Sequence, residues 1–115
     1  MPLLKLETTV ALSDEKREAL LSALSKIVAS SIGKPEKYGM VSISPAAIFM
    51  PAKLGDAAFV DARSIGGLDQ TVNRQLSQNI CTLLKQSLGV LPERVYLNFT
   101  NVDAGNWGWH DNTLG

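Results

Sequence analysis

Apolar and polar positions alternate at the start of the chain. Leu4, Leu6 and Thr8 alternate with Lys5 and Glu7, which predicts a strand over about Pro2–Thr9. The period then lengthens. Leu20, Leu21, Leu24, Ile27 and Val28 recur at helical spacing. Ser13 ahead of Asp14 and Glu15 supplies an N-cap and acids suited to the positive end of the helix dipole, and Gly33 fits the C-terminal stop. Val41 and Ile43 restore the alternation within Tyr38–Ser44, a second strand ahead of Pro45.

The second half repeats this order. Phe59–Ile65 reads as a strand and Gly66-Gly67 as a turn. Val72, Leu76, Ile80, Leu83, Leu84 and Leu88 form a helical stripe closed by Gly89, and Arg94–Val102 reads as a last strand with Tyr96-Leu97-Asn98-Phe99-Thr100 at its centre. Pro35-Glu36-Lys37 and Pro92-Glu93-Arg94 occupy matching places 57 residues apart, and Arg17 and Arg74 share that offset. Self-similarity at a fixed period marks a duplicated unit. The expectation is one α/β (α+β) domain over residues 1–115, with pseudo-repeats at about 1–56 and 57–115. Each repeat is a β-α-β unit with a right-handed crossover. Together they give a four-stranded mixed sheet with two helices on one face. The bare face and the edges then need cover, which self-association supplies economically. The tail from Asn101 is rich in Gly and Asn, yet it carries Trp107 and Trp109, which predicts that it packs, plausibly against an adjacent subunit.

Composition narrows the function classes. Lys+Arg and Asp+Glu both count 11, so nothing steers the protein to nucleic acid or to an anionic membrane. Cys81 is the single cysteine and His110 the single histidine, which argues against an internal disulfide and against a Cys- or His-based metal site. Cys81 falls on the apolar side of the second helix and is expected in the core, and His110 is expected to be a plain tail residue. No stretch approaches the ~20 apolar residues of a membrane span. The start MPLLKLETTV lacks the basic and apolar regions of a signal peptide, so a cytoplasmic location is expected.

Several short motifs, in order, resemble the macrophage migration inhibitory factor and D-dopachrome tautomerase family of the tautomerase superfamily. They are Met1-Pro2, Gly33-Lys34-Pro35 with Tyr38, Ser64-Ile65-Gly66, Asn73-Arg74, Pro92-Glu93-Arg94-Val95-Tyr96 with Asn98, and Gly108-Trp109. The resemblance spans essentially the full length. It implies the tautomerase fold, a homotrimer with active sites between subunits, and no metal or organic cofactor.

The resemblance also implies roles. Removal of Met1 frees the secondary amine of Pro2 as catalytic base. An α-amino group titrates near 7.7–8.0, and burial or a nearby cation lowers that further, which suits a base working near neutrality. Lys34 is implied to hold the carboxylate or carbonyl oxygen of the substrate and to depress the amine's pKa; alone, it reads as a last-turn cation on the helix dipole. The backbone N–H of Ile65 is implied to meet a substrate carboxylate, while its side chain walls the pocket; alone, Ile65 is a strand-end core residue. Tyr96 and Asn98, two apart on one strand face, are implied to reach the pocket from a neighbouring subunit. Tyr38, Trp107 and Trp109 are candidate pocket walls. Asn98-Phe99-Thr100 also matches a glycosylation sequon, which a central strand in a cytoplasmic protein makes accidental.

Departures from the pattern shape the expectation. The cytokine members' Cys-x-x-Cys is replaced by Ala57-Ala58-Phe59-Val60, and Leu12 stands near the place of their receptor-loop arginine. Trp107 replaces a smaller aliphatic residue. The arginine pairs of the oxalocrotonate and dehalogenase branches are missing, which argues against dicarboxylate and halo-acid chemistry. The resemblance implies a keto–enol tautomerase of the phenylpyruvate or dopachrome type, acting on a small α-keto acid or enol. The alternative is a cytokine-like interaction protein, leaving the cell by a leaderless route, with an incidental pocket.

Overall fold

The computed structural model describes residues 1–52 and 54–115. Six elements carry the domain: β1 (Pro2–Thr8), α1 (Asp14–Ile32), β2 (Met40–Pro45), β3 (Ala58–Ser64), α2 (Gln70–Leu88) and β4 (Val95–Asn101). Both helices start and stop where local chemistry dictates. Ser13 accepts a hydrogen bond from the Lys16 N–H at 3.2 Å, and Asp69 accepts one from the Val72 N–H at 2.8 Å. At the other ends Gly33 and Gly89 take left-handed φ values of 76° and 71°. Their N–H groups donate to Ala29 and Lys85, satisfying carbonyls that the helix leaves unpaired.

The sheet runs β2-β1-β3-β4. β1 and β2 are parallel, β3 and β4 are parallel, and the two pairs meet antiparallel through β1 and β3. This is the mixed sheet expected of two β-α-β units. One face carries Leu4, Leu6, Ala58, Val60 and Val95, which join Leu20, Leu24 and Val28 of α1 and Leu76, Ile80 and Leu84 of α2 in a single core. Each helix buries residues at i, i+4 and i+8, so one stripe per helix faces the sheet. Burying a Leu or Ile side chain contributes about 1.5–3 kcal/mol, so these stripes are the main hold on both helices. The opposite face stays uncovered by this chain: Met40, Ser42, Lys5, Arg63, Tyr96 and Asn98 are exposed there.

The matching structural features of the two β-α-β units are offset by one residue less than the motifs are. The helix N-caps Ser13 and Asp69, the C-caps Gly33 and Gly89, and the buried triplets starting at Leu20 and Leu76 all pair at 56 residues. The spacing of 57 between the Pro-Glu-Lys and Pro-Glu-Arg triplets arises after the helices, where Val90-Leu91 precedes Pro92 but Lys34 alone precedes Pro35. Arg17 therefore corresponds to Asn73 rather than to Arg74.

Strand boundaries shift by one or two residues, including the start of β3 at Ala58 and the ends of β2 at Pro45 and β4 at Asn101. β1 ends at Thr8, one residue before the expected Thr9. Tyr38 ends a short 3₁₀ turn, Glu36–Tyr38, and the second strand starts at Met40. Pro35 fixes the turn's entry, and the Tyr38 and Gly39 N–H groups donate back to Pro35 and Glu36, so this backbone is not available to the sheet. Arg94 likewise ends a 3₁₀ turn rather than opening β4, and Ile65 lies just past β3. Cys81 sits at the rim of the core, half-buried, and its burial pushes the thiol pKa up. The tail folds as a small hairpin, β5 (Gly108–Trp109) against β6 (Asn112–Thr113). His110 and Asp111 form its two-residue turn with φ of 53° and 67°, the left-handed pair that a type I′ turn needs.

Candidate functional site

The antiparallel pairing of β1 with β3 sets Pro2 opposite Ser64. The start of the chain therefore lies beside the turn Ile65-Gly66-Gly67. Both glycines of that turn have positive φ, 72° and 82°. At Gly67 a β-carbon would meet Ile32 Cγ2 at 3.0 Å and Lys34 Cε at 3.5 Å, so the turn needs glycine both for its backbone and for close approach. This approach draws in Lys34. Its Nζ donates to Ser64 Oγ at 3.0 Å and to the Ile65 carbonyl at 2.6 Å, with the Gly66 carbonyl at 3.5 Å. Lys34 follows the Gly33 cap and is not a last-turn cation. Its charge serves the turn and the chain start instead.

The amino group feels that arrangement. Burial, then the Lys34 charge, then a hydrogen bond from Lys34 hold the Met1 amine below its ordinary pKa of 8.0. With Met1 in place the Pro2 nitrogen is an amide, with no basic lone pair. Pro2 itself is buried.

Beside it opens a cavity of about 660 Å³ whose lining includes Pro2, Tyr38, Arg63, Asn106, Trp107 and Trp109. The 3₁₀ turn delivers Tyr38, and the tail hairpin delivers the tryptophans. The Val102 N–H donates to the Ser64 carbonyl at 2.8 Å, and the Leu114 N–H donates to Trp107 at 3.1 Å, so the tail is anchored at both ends of the wall. Trp109 and Tyr38 remain 56% and 49% exposed, leaving aromatic surface for a ligand ring. Lys37 lies over the Tyr38 ring at 5.0 Å.

The candidate residues thus divide. Pro2, Tyr38, Trp107 and Trp109 share one cavity, and Lys34 and Ile65 stand next to it through the 64–66 turn. Tyr96 and Asn98 do not reach it within the chain. They pair with Phe59 and Asp61, on the open face, and Tyr96 is 69% exposed. Ser64, the partner of Pro2, is five strand residues beyond Phe59, about 16 Å at the usual rise.

Two charged residues of the cavity lining are not legible in the sequence. Arg63 reaches the lining because it pairs with Leu3, next to Pro2, and Lys37 because of the 3₁₀ turn. Arg63 forms an ion pair with Asp61 at 3.0 Å; that hydrogen bond, with the Asp61 charge, raises its pKa further. The alternation of Asp61, Arg63 and Ile65 was a usable sign of a shared face. The long-range register was not.

Two parallel β-α-β units joined antiparallel, with helices on one face and an aromatic-walled cavity at the chain start, form one α/β domain with a candidate site beside its amino terminus. The family model described as macrophage migration inhibitory factor (MIF) matches residues 1–115, and the chain belongs to that family. Macrophage migration inhibitory factor of Meriones unguiculatus is 33% identical over 115 residues, covering 99% of each chain. The Xenopus laevis protein of that name is 32% identical over 118 residues, again covering 99% of each. Among solved structures, the macrophage migration inhibitory factor homologue from Prochlorococcus marinus superposes with a TM-score of 0.91 at 32% identity, covering 98% of this chain and 99% of that one. Among the described residues no helix is long and apolar enough to cross a membrane.

Proposed function

We propose that the protein is a cofactor-independent keto–enol tautomerase of the phenylpyruvate or dopachrome type, with the Pro2 amine as base once Met1 is removed. The observation that carries this is the coincidence of three features: a buried chain start, the Lys34 ammonium that lowers an amine's pKa there, and an aromatic-walled cavity alongside. An amine with a lowered pKa is neutral in a larger fraction of molecules at pH 7, and its ring fixes the direction of the lone pair. Pro2 nitrogen takes a proton from the carbon next to the substrate carbonyl, or from an enol hydroxyl, and returns it to the other position. Lys34 and the Ile65 N–H hold the acidic end, which requires Lys34 to share its donors between the 64–66 turn and the substrate. Tyr38, Trp107 and Trp109 hold the apolar end.

Tyr96 and Asn98 belong to the same site only if a second copy lends its open sheet face. That is the part they take in the proposed homotrimer, and it would also cover surface this chain leaves bare. Family membership supports the alternative of a cytokine-like interaction protein, and the two readings separate on one variant. Pro2→Gly, with removal of Met1 verified by mass spectrometry, is expected to lower phenylpyruvate tautomerisation about 10²- to 10⁴-fold, the range for a positioned general base. Unchanged activity, or full activity in protein that retains Met1, sinks the amine-base mechanism.

A further inference from the structure

Within one chain, the charged residues that line the cavity are all cations. Among the described residues its lining includes Lys37 and Arg63 but no Asp or Glu, and the Lys34 ammonium acts on the chain start at its edge. A single carboxylate held near Pro2 and Lys34 does not engage the other two cations. Lys37 is engaged with the Tyr38 ring. Arg63 is differently placed. Asp61 takes one edge of its guanidinium, with Nε at 3.3 Å and Nη2 at 3.0 Å from the same carboxylate oxygen. Nη1 has no hydrogen-bond partner among the described residues. Asp61 thus fixes the plane of the guanidinium and leaves donors for another acceptor, in the fork geometry that suits a carboxylate.

We propose that Arg63, oriented by Asp61, is a second anion-binding group of this cavity, and that the preferred substrate is an enolisable aromatic keto acid bearing a second carboxylate on its ring. This rests on the tautomerase reading for the word substrate; the binding preference does not. One acid group lies toward Pro2 and Lys34, the ring lies against Tyr38, Trp107 and Trp109, and the distal acid meets Arg63. The missing arginine pairs of the oxalocrotonate and dehalogenase branches argue against dicarboxylates only at those branches' own positions. Arg63 arrives from β3 instead.

The test uses non-enolisable probes, so it reads binding without catalysis. The full chain, with Met1 removed or retained as expressed, is titrated with cinnamate and with 4-carboxycinnamate. Quenching of Trp107 and Trp109, the chain's two tryptophans and both in the cavity lining, reports occupancy. The dianion is expected to bind roughly tenfold more tightly, the effect of one added charge-assisted hydrogen bond. In Arg63→Gln that ratio is expected to fall to near one, and Arg63→Lys is expected to keep part of it. Equal binding of the two probes by the unaltered protein overturns the proposal, and so does a preference that survives in Arg63→Gln. A failed amine-base mechanism shows instead in the Pro2→Gly assay and leaves this ratio readable.

Discussion

Arg94 is only 4% exposed, and among the described residues its guanidinium donates to three main-chain carbonyls: Met50 at 3.1 Å, Gly55 at 2.6 Å and Asp56 at 3.2 Å. Replacing it by methionine keeps most of the side-chain length and removes every donor. Net hydrogen bonds to charged groups are worth about 1.5–3 kcal/mol each, and the three here share one side chain, so they are not independent. Taking the low end for each gives an upper figure of about 4.5 kcal/mol, a large part of the 5–15 kcal/mol that holds a typical domain together. Arg94→Lys keeps the charge but not the fork and is expected to recover part of the loss. The assay is guanidinium unfolding followed by tryptophan fluorescence. Protein concentration is held fixed, so that self-association does not mimic a stability change. The segment between β2 and β3 should also become the first site of limited proteolysis. A loss below about 1 kcal/mol in Arg94→Met, with protease resistance retained, would refute the claim that this arginine pins the segment.

Two further substitutions probe the chain start. Lys34→Gln removes the charge and the hydrogen bond that lower the terminal amine's pKa. That pKa therefore rises, and the ascending limb of kcat/KM against pH is expected to move to higher pH, so the deficit is larger at pH 6 than at pH 9. A limb that stays in place, or moves down, removes Lys34 from the tuning of the base. Gly67→Ala forces a side chain onto φ 82° and presses Ile32, whereas Gly66→Ala at φ 72° meets nothing within 4 Å. Gly67→Ala is expected to cost about 1–3 kcal/mol in chemical denaturation and more than Gly66→Ala, since only it adds a steric clash to the strain; equal losses would show that packing against Ile32 is irrelevant.

What could be read in advance was mostly local. Ser13, Gly33 and Gly89 announced the helix ends because caps act through residues three or four apart. The triplets Leu20, Leu24, Val28 and Leu76, Ile80, Leu84 are visible as stripes for the same reason. Tyr38 was misplaced because alternation through Val41 and Ile43 extends backwards without showing that Pro35 starts a turn. Arg63 was overlooked because its place depends on β1 pairing with β3 across more than fifty residues of chain, and a one-residue slip would turn it to the other face. In the sequence Arg94 stands out only through the match of Pro92-Glu93-Arg94 to Pro35-Glu36-Lys37. Its three acceptors are main-chain carbonyls, which no residue type advertises. Tyr96 and Asn98 owe their candidacy to resemblance, and the chain by itself supports only that they share an exposed face.

The offset of 56 between the two units carries a further consequence. Position 58 is the counterpart of position 2, so Ala58 stands where Pro2 would stand in the second unit. Ala58 is preceded by Asp56-Ala57, and its nitrogen is tied into a peptide bond. On the proposed mechanism, therefore, only the first unit can carry the amine base, and an arrangement that looks two-sided is chemically one-sided. On that mechanism anything joined ahead of Pro2, such as an affinity tag or an uncut leader, would acylate the proposed base and extend into the cavity that Pro2 lines.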